Sequence, residues 1–342
     1  MKRKLLALTA ILLALTVTFG GCENIMLIPG KSSGAIADDS SSSHNSEPLS
    51  AYPVTLNNTE ITKAPEKIVS LTPAYTEILF EMGYGKKITA VSDYCDYPEI
   101  VKELPKAASS ANPDIAAIKK LKPDLVITAT PIVTKDKISL EAQGIKVLVI
   151  PSPRNIEEFE NVYKFFGLAM NGQFDGEAAG EKAFSPIKKQ LDAIKRTDKK
   201  FIYVTAANTP AGGDTFESAV LSLFGTNIAE SSSGYSYKAA DLADNQPDII
   251  FVSDTIGEDT LTANENYSDL KAVKDGKITV LKNKYFERPS GRITELIGTA
   301  AKAFGVDPSD KAEKENSSAP ASESENSSNT QNSSKEDSKA TE

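Results

Sequence analysis

The sequence predicts an α/β fold of two Rossmann-like lobes, each built on a mainly parallel sheet and joined by a long backbone helix. Three observations carry that expectation. Short strands apolar on both faces alternate with helical segments, their order runs twice along the chain, and a stretch without strand signal separates the two runs. A strand buried on both faces needs helices above and below it, which is the arrangement of parallel sheets.

The first run opens on the apolar strand Lys67-Ile68-Val69-Ser70-Leu71. Thr72-Pro73 then places a capping residue before a proline at the first helical position, where the missing N–H costs nothing. The helix carries Ile78, Leu79 and Met82 on one face and stops at Gly83. Next come a strand at Ile88 to Val91, a helix at Ile115 to Leu121, a strand within Lys122-Pro123-Asp124-Leu125-Val126-Ile127, and a strand at Ile145 to Ile150.

The second run has the same grammar. Phe201 to Val204 is a strand, Thr215 to Phe224 a helix stopped by Gly225, and Gln246-Pro247-Asp248-Ile249-Ile250-Phe251-Val252 repeats the proline-aspartate entry to a buried strand. Ile278 to Leu281 follows. Arg292 opens an amphipathic helix as a structural residue, with Ile293, Leu296, Ile297, Ala300 and Phe304 facing the core. Between the runs, Phe184, Ile187, Leu191 and Ile194 recur at helical spacing, and Pro186 should kink that helix or mark its first turn. The expected boundaries are an N-terminal lobe at 60–153, a helical linker at 154–198 and a C-terminal lobe at 199–306.

The ends read differently. Met1-Lys2-Arg3-Lys4, an apolar run from Leu5 to Phe19 and Gly20-Gly21 before Cys22 have the order of an export signal at 1–21. The run is shorter than the roughly 20 apolar residues of a membrane span. Residues 22–59 read as a Ser-rich tether and 307–342 as a polar tail, neither able to bury enough apolar area to offset ordering entropy. Once Cys22 is set aside only Cys95 remains, which excludes an intramolecular disulfide. A net charge of -9, with acids interspersed among the lysines, excludes a nucleic-acid partner. The sole histidine, His44, lies in the tether, so the lobes offer no imidazole to a metal or a reaction. No nucleophile elbow or phosphate loop is present. The chain therefore reads as a non-enzyme without a metal or cofactor.

Glu66-Lys67-Ile68-Val69-Ser70-Leu71-Thr72-Pro73, Ser92-Asp93-Tyr94-Cys95-Asp96-Tyr97-Pro98 and Leu121 to Ile127 resemble the helical-backbone (class III) substrate-binding lipoproteins of ABC importers. That family takes up cobalamin, ferric siderophores and haem. The resemblance implies a ligand cleft between the lobes, an ABC permease and ATPase as partners, a monomer, and an extracytoplasmic place on the cell membrane. The Gly20-Gly21-Cys22 stretch resembles a lipobox, which implies acylation of Cys22.

Two segments look like the cobalamin-binding branch: Ser92 to Pro98, and Tyr285-Phe286-Glu287-Arg288-Pro289-Ser290-Gly291-Arg292. By that likeness the ligand is a corrinoid held by Tyr94, Cys95, Asp96, Phe286, Glu287 and Arg288, with Tyr235 and Tyr237 as a second aromatic wall. The Cys95 thiol, with no second ligand beside it, reads as a small buried residue rather than a metal or redox group. A ferric siderophore or haem is the alternative within the family. A chelatase-like enzyme and a lipid-anchored sensor are alternatives outside it. The family's docking glutamates fall here at Ala116 and Ala240, with Asp114 and Asp241 beside them as candidate replacements.

Overall fold

The computed structural model describes residues 50–306. The signal, Cys22, most of the tether and the tail lie outside the described residues.

Folding begins earlier than the expected boundary at residue 60. Strands β1 (Val54–Leu56) and β2 (Thr59–Ile61) form an antiparallel hairpin with Leu56 opposite Thr59. Asn57 and Asn58 both adopt positive φ, at 43° and 62°, as the tight hairpin turn demands. The Thr59 hydroxyl donates to the Val147 carbonyl at 2.8 Å and Asn57 Nδ2 to the Val149 carbonyl at 2.9 Å, so the hairpin covers a sheet edge. Each strand has three residues, too few for their alternation to stand out of a polar stretch.

The N-terminal lobe runs β3 (Ile68–Ser70), α1 (Pro73–Glu81), β4 (Ile88–Val91), α2 (Ile115–Leu121), β5 (Leu125–Thr128), α3 (Thr134–Glu141) and β6 (Lys146–Val149). Its sheet has the order β4-β3-β5-β6, all parallel. Thr72 occupies the cap position of α1, but its hydroxyl accepts from the Ala129 amide at 2.9 Å instead of from the helix. Asp114 caps α2, accepting from the Ala117 amide at 2.9 Å.

The linker is helical, as its spacing predicts, but the break is not at Pro186. Within α4 (Ile156–Asp192), Gly172 adopts φ 76° and ψ -172°, and the chain doubles back there. The two arms pack antiparallel. Phe159 meets Phe184 edge-on at 5.3 Å and Lys164 Nζ reaches Glu181 at 3.0 Å. Glycines permit the approach: a Cβ on Gly176 would sit 2.4 Å from Leu168 Cα, and one on Gly180 2.5 Å from Lys164 Cα. Pro186 is accommodated without a break because the Ser185 hydroxyl donates at 2.9 Å to the Lys182 carbonyl, the acceptor that proline leaves without an amide.

The C-terminal lobe repeats the plan with β7 (Lys200–Val204), α5 (Phe216–Leu221), β8 (Thr226–Asn227), β9 (Ile249–Ser253), α6 (Gly257–Ala263), α7 (Lys271–Lys274), β10 (Ile278–Leu281), α8 (Lys284–Glu287) and α9 (Ile293–Phe304). The order β10-β9-β7-β8 is again wholly parallel. The repeated Pro-Asp does the same work twice. Asp124 Oδ2 accepts the amides of Glu66 at 2.7 Å and Lys67 at 2.9 Å, and Asp248 Oδ2 accepts the Lys200 amide at 2.8 Å. Each carboxylate thus ties the entry of one strand to its neighbour. One apolar cluster runs from the inner face of both sheets through the linker, while Val69 and Val126 in one lobe, and Ile202 and Ile250 in the other, anchor separate outer clusters. Among the described residues no helix is long and apolar enough to cross a membrane.

Candidate functional site

Open parallel sheets place ligands beyond the carboxyl ends of their strands. Here a segment beyond the carboxyl end of β4 meets one beyond the carboxyl end of β10, and two contacts of α1 join the lobes beside them. Arg288 Nη1 donates to Asp96 Oδ1 at 2.7 Å. Arg292 Nη1 and the Ser290 hydroxyl donate to the two oxygens of Glu77 at 3.0 and 2.6 Å. The Gly291 amide donates to Glu81, which also accepts from the Tyr163 hydroxyl at 2.7 Å.

These contacts form two layers. In the floor, Glu77 is 1% exposed and Ser290 wholly buried. Burial pushes the Glu77 carboxyl above the usual range, and the Ser290 hydroxyl and the Arg292 guanidinium pull it partly back. Arg292 is sandwiched, with its guanidinium 4.4 Å from the Tyr97 ring centre and 5.0 Å from that of Tyr285. The structural role expected for Arg292 is therefore larger than starting a helix. At the rim, Asp96 and Arg288 are partly exposed.

The expected ligand residues separate by exposure. Tyr94 is 65% exposed just past β4, its amide fixed by Ser92 Oγ at 3.2 Å. Asp96, Glu287 and Arg288 lie on the facing rims, Glu287 accepting from Asn283 Nδ2 at 2.7 Å. Tyr235 is half exposed, and its hydroxyl donates to the buried Glu217 at 3.0 Å. Burial, then the Glu217 charge, push the Tyr235 phenol up to about 12.

Three of the expected residues are turned toward their own lobes. Cys95 turns inward, 4% exposed, with its sulfur 3.3 Å from the Thr76 hydroxyl, so it presents nothing to a ligand and burial raises its thiol. Phe286 is 5% exposed because its ring packs on Tyr203 at 5.1 Å. Tyr237 is half-buried against the outer cluster of the C-terminal lobe and does not extend the Tyr235 wall. Neighbouring residues of one segment thus face opposite ways, which position in sequence does not specify.

Residues the sequence reading missed include Glu77 and Glu81, spaced i, i+4 on a helix with no basic residue in its last turn; that spacing was the available signal. Others are Glu217, Asp254 and Asn283. Asn283 ties the C-terminal wall together, accepting from Tyr203 at 2.8 Å and donating its amide to Asp254 at 2.9 Å. Among the described residues Glu217, Asp254 and Glu287 form no ion pair, and no group of His, Cys, Asp and Glu is arranged to hold a metal ion. The separate cavity of about 750 Å³ around Lys199, Asp248, Lys271 and Lys277 lies at the amino ends of β7 and β9, the end parallel sheets do not use for ligands. Asp114 and Asp241 are both exposed, Asp241 on the single-turn helix Ala239–Ala243.

Two parallel α/β lobes on a helical linker, with strand carboxyl ends facing across a cleft, define a class III solute-binding protein. The chain belongs to the periplasmic binding protein family, whose model matches residues 68–285. Its members are solute-binding transport proteins, not enzymes. An ABC transporter substrate-binding lipoprotein of Bacillus subtilis, YvrC, is 26% identical over 327 residues, covering 89% of this chain and 98% of the relative. The vitamin B12-binding protein of Vibrio campbellii is 26% identical over 274 residues, covering 74% and 95%. Among solved structures, the vitamin B12-binding protein BtuF of Vibrio cholerae aligns with a TM-score of 0.56 at 23% identity, covering 70% of this chain and 97% of that one. The haem-binding protein HutB of the same species aligns at 0.60 and 20% identity, covering 70% and 97%.

Proposed function

We propose that this protein is a monomeric, extracytoplasmic lipoprotein, anchored through Cys22, that captures a corrinoid and delivers it to an ABC permease and ATPase. The observation that carries the ligand is Tyr94, an aromatic face 65% exposed at the carboxyl end of β4, in lobes without a histidine. A corrinoid presents a flat macrocycle to such a ring and peripheral amides to the groups around it, and its metal needs no axial ligand from the protein.

The opposite wall supports the same reading. Asp254 and Glu287 are exposed, accept from neutral donors and keep lone pairs for further N–H groups. A carboxylate wall suits an amide rim and opposes an anionic siderophore. Vitamin B12-binding relatives support the assignment from outside the chain. The exposed Asp114 and Asp241 are the acids we assign to permease docking, one on each lobe.

The test is direct. The purified protein mixed with cyanocobalamin should keep the red chromophore through gel filtration, and Tyr94→Ala should weaken binding by about 1 kcal/mol with little change in stability. Failure to bind cyano-, hydroxo- or adenosylcobalamin or cobinamide at micromolar concentration sinks the corrinoid assignment. Retention of haemin or a ferric siderophore instead would name the replacement.

A further inference from the structure

We infer that the Asp96–Arg288 ion pair is an interlobe latch across the cleft mouth, which a ligand opens by taking Arg288 from Asp96. The inference rests on the reading of Arg288 as a ligand-facing residue. It goes beyond that reading by giving Asp96 a role opposed to binding.

Two contacts that the Arg288–Arg292 stretch makes with the N-terminal lobe differ in kind, one to Glu77 on α1 and one to Asp96 beyond β4. The floor contact, Glu77 with Ser290 and Arg292, is buried, and each of its groups is held by several partners. Opening it would strand a charge out of water, so it stays shut. The rim contact is a 2.7 Å pair whose side chains are 54% exposed at Asp96 and 21% at Arg288. A pair so placed is worth little and breaks readily. The positions on either side of it are the ones that face a ligand: Tyr94 precedes Asp96 by two residues, and Glu287 precedes Arg288.

Among the described residues the other cations near Asp96 have partners of their own, Lys106 donating to the Cys95 and Val101 carbonyls at 3.3 and 3.2 Å. Arg292, the other guanidinium nearby, is committed to Glu77. Lys102 pairs with Glu99 at 2.8 Å. Arg288 is therefore shared between Asp96 in the empty protein and an acceptor on the ligand, such as an amide carbonyl of a corrin rim. Arg288 meets Asp96 through Nη1 alone, so a ligand acceptor that turns the guanidinium toward itself leaves Asp96 without its 2.7 Å partner.

Two arms test this. In the ligand arm, cyanocobalamin affinity is measured for wild type, Asp96→Ala and Arg288→Ala. Both variants break the latch, but only Asp96→Ala leaves Arg288 for the ligand. Asp96→Ala should bind about 5-fold tighter and Arg288→Ala weaker than wild type. Weakening by Asp96→Ala, or no change, overturns the latch. In the ligand-free arm, amide hydrogen exchange of residues 93–97 and 285–288 should accelerate in Asp96→Ala and in wild type at about 500 mM salt. Exchange at Gly291, held by the floor, should stay slow. Unchanged exchange in both segments overturns the latch whatever the ligand. A wild type that binds no corrinoid removes the corrinoid reading, while the exchange arm still decides the latch.

Discussion

Glu77→Ala tests whether the buried floor holds the lobes together. The substitution removes a charge-assisted bond to Arg292 at 3.0 Å, worth about 1.5–3 kcal/mol. It also leaves the wholly buried Ser290 hydroxyl without its 2.6 Å acceptor, a further cost of about 1–3 kcal/mol. Against this, the desolvation that raises the Glu77 carboxyl is relieved, and Arg292 keeps its two aromatic faces. The net expectation is about 3 kcal/mol, at the lower end for a broken buried pair. For a chain of this size that lowers Tm by roughly 6–12 °C. Urea denaturation followed by far-UV circular dichroism and tyrosine emission reads it; the chain has no tryptophan. Adding Arg292→Ala to Glu77→Ala should cost less than Arg292→Ala alone costs in wild type, with a coupling of about 1–2 kcal/mol. A loss below about 1 kcal/mol with the fold intact, or strict additivity, would refute the floor as an energetic link between lobes.

Further outcomes follow from the same contacts. Because burial holds the Glu77 carboxyl above its unfolded value, its protonation contributes stability that is complete below the ordinary glutamate range and lost as pH rises through the raised value. Urea midpoints of wild type and Glu77→Gln between about pH 4 and pH 8 should therefore move in favour of wild type on acidification; movement the other way contradicts the burial argument. Gly180→Ala should destabilise by about 1–3 kcal/mol, since its Cβ would sit 2.5 Å from Lys164 Cα in the facing arm. Ala at Gly298, where a Cβ meets nothing within 4 Å, is the control that should not destabilise. Cys95 should resist maleimide in the native protein and react on unfolding, because it is 4% exposed and its thiol is raised by burial; rapid native labelling would contradict its inward placement.

Much of the fold was readable because its signals are local. Two-sided apolar strands, the paired Pro-Asp entries, Thr215 as a cap and Gly83 as a stop each involve residues a few positions apart, and each recurs in the structure. The site was readable only as segments. Tyr94, Asp96, Glu287 and Arg288 are exposed or partly exposed, whereas Cys95 and Phe286, from the same two segments, turn into their own cores.

The sequence by itself determined two parallel-sheet lobes on a helical linker and an absence of imidazole from both. Periodicity, capping and composition are properties of short stretches and survive without knowledge of partners. Tertiary structure alone decided that the linker doubles back at Gly172, where three other glycines let two helices touch. It alone paired Asp96 with Arg288 across 192 residues and Glu77 with Arg292 across 215. The physical reason is that such pairs depend on how two independently patterned lobes dock, and a docking geometry leaves no period in either strand of sequence that meets there.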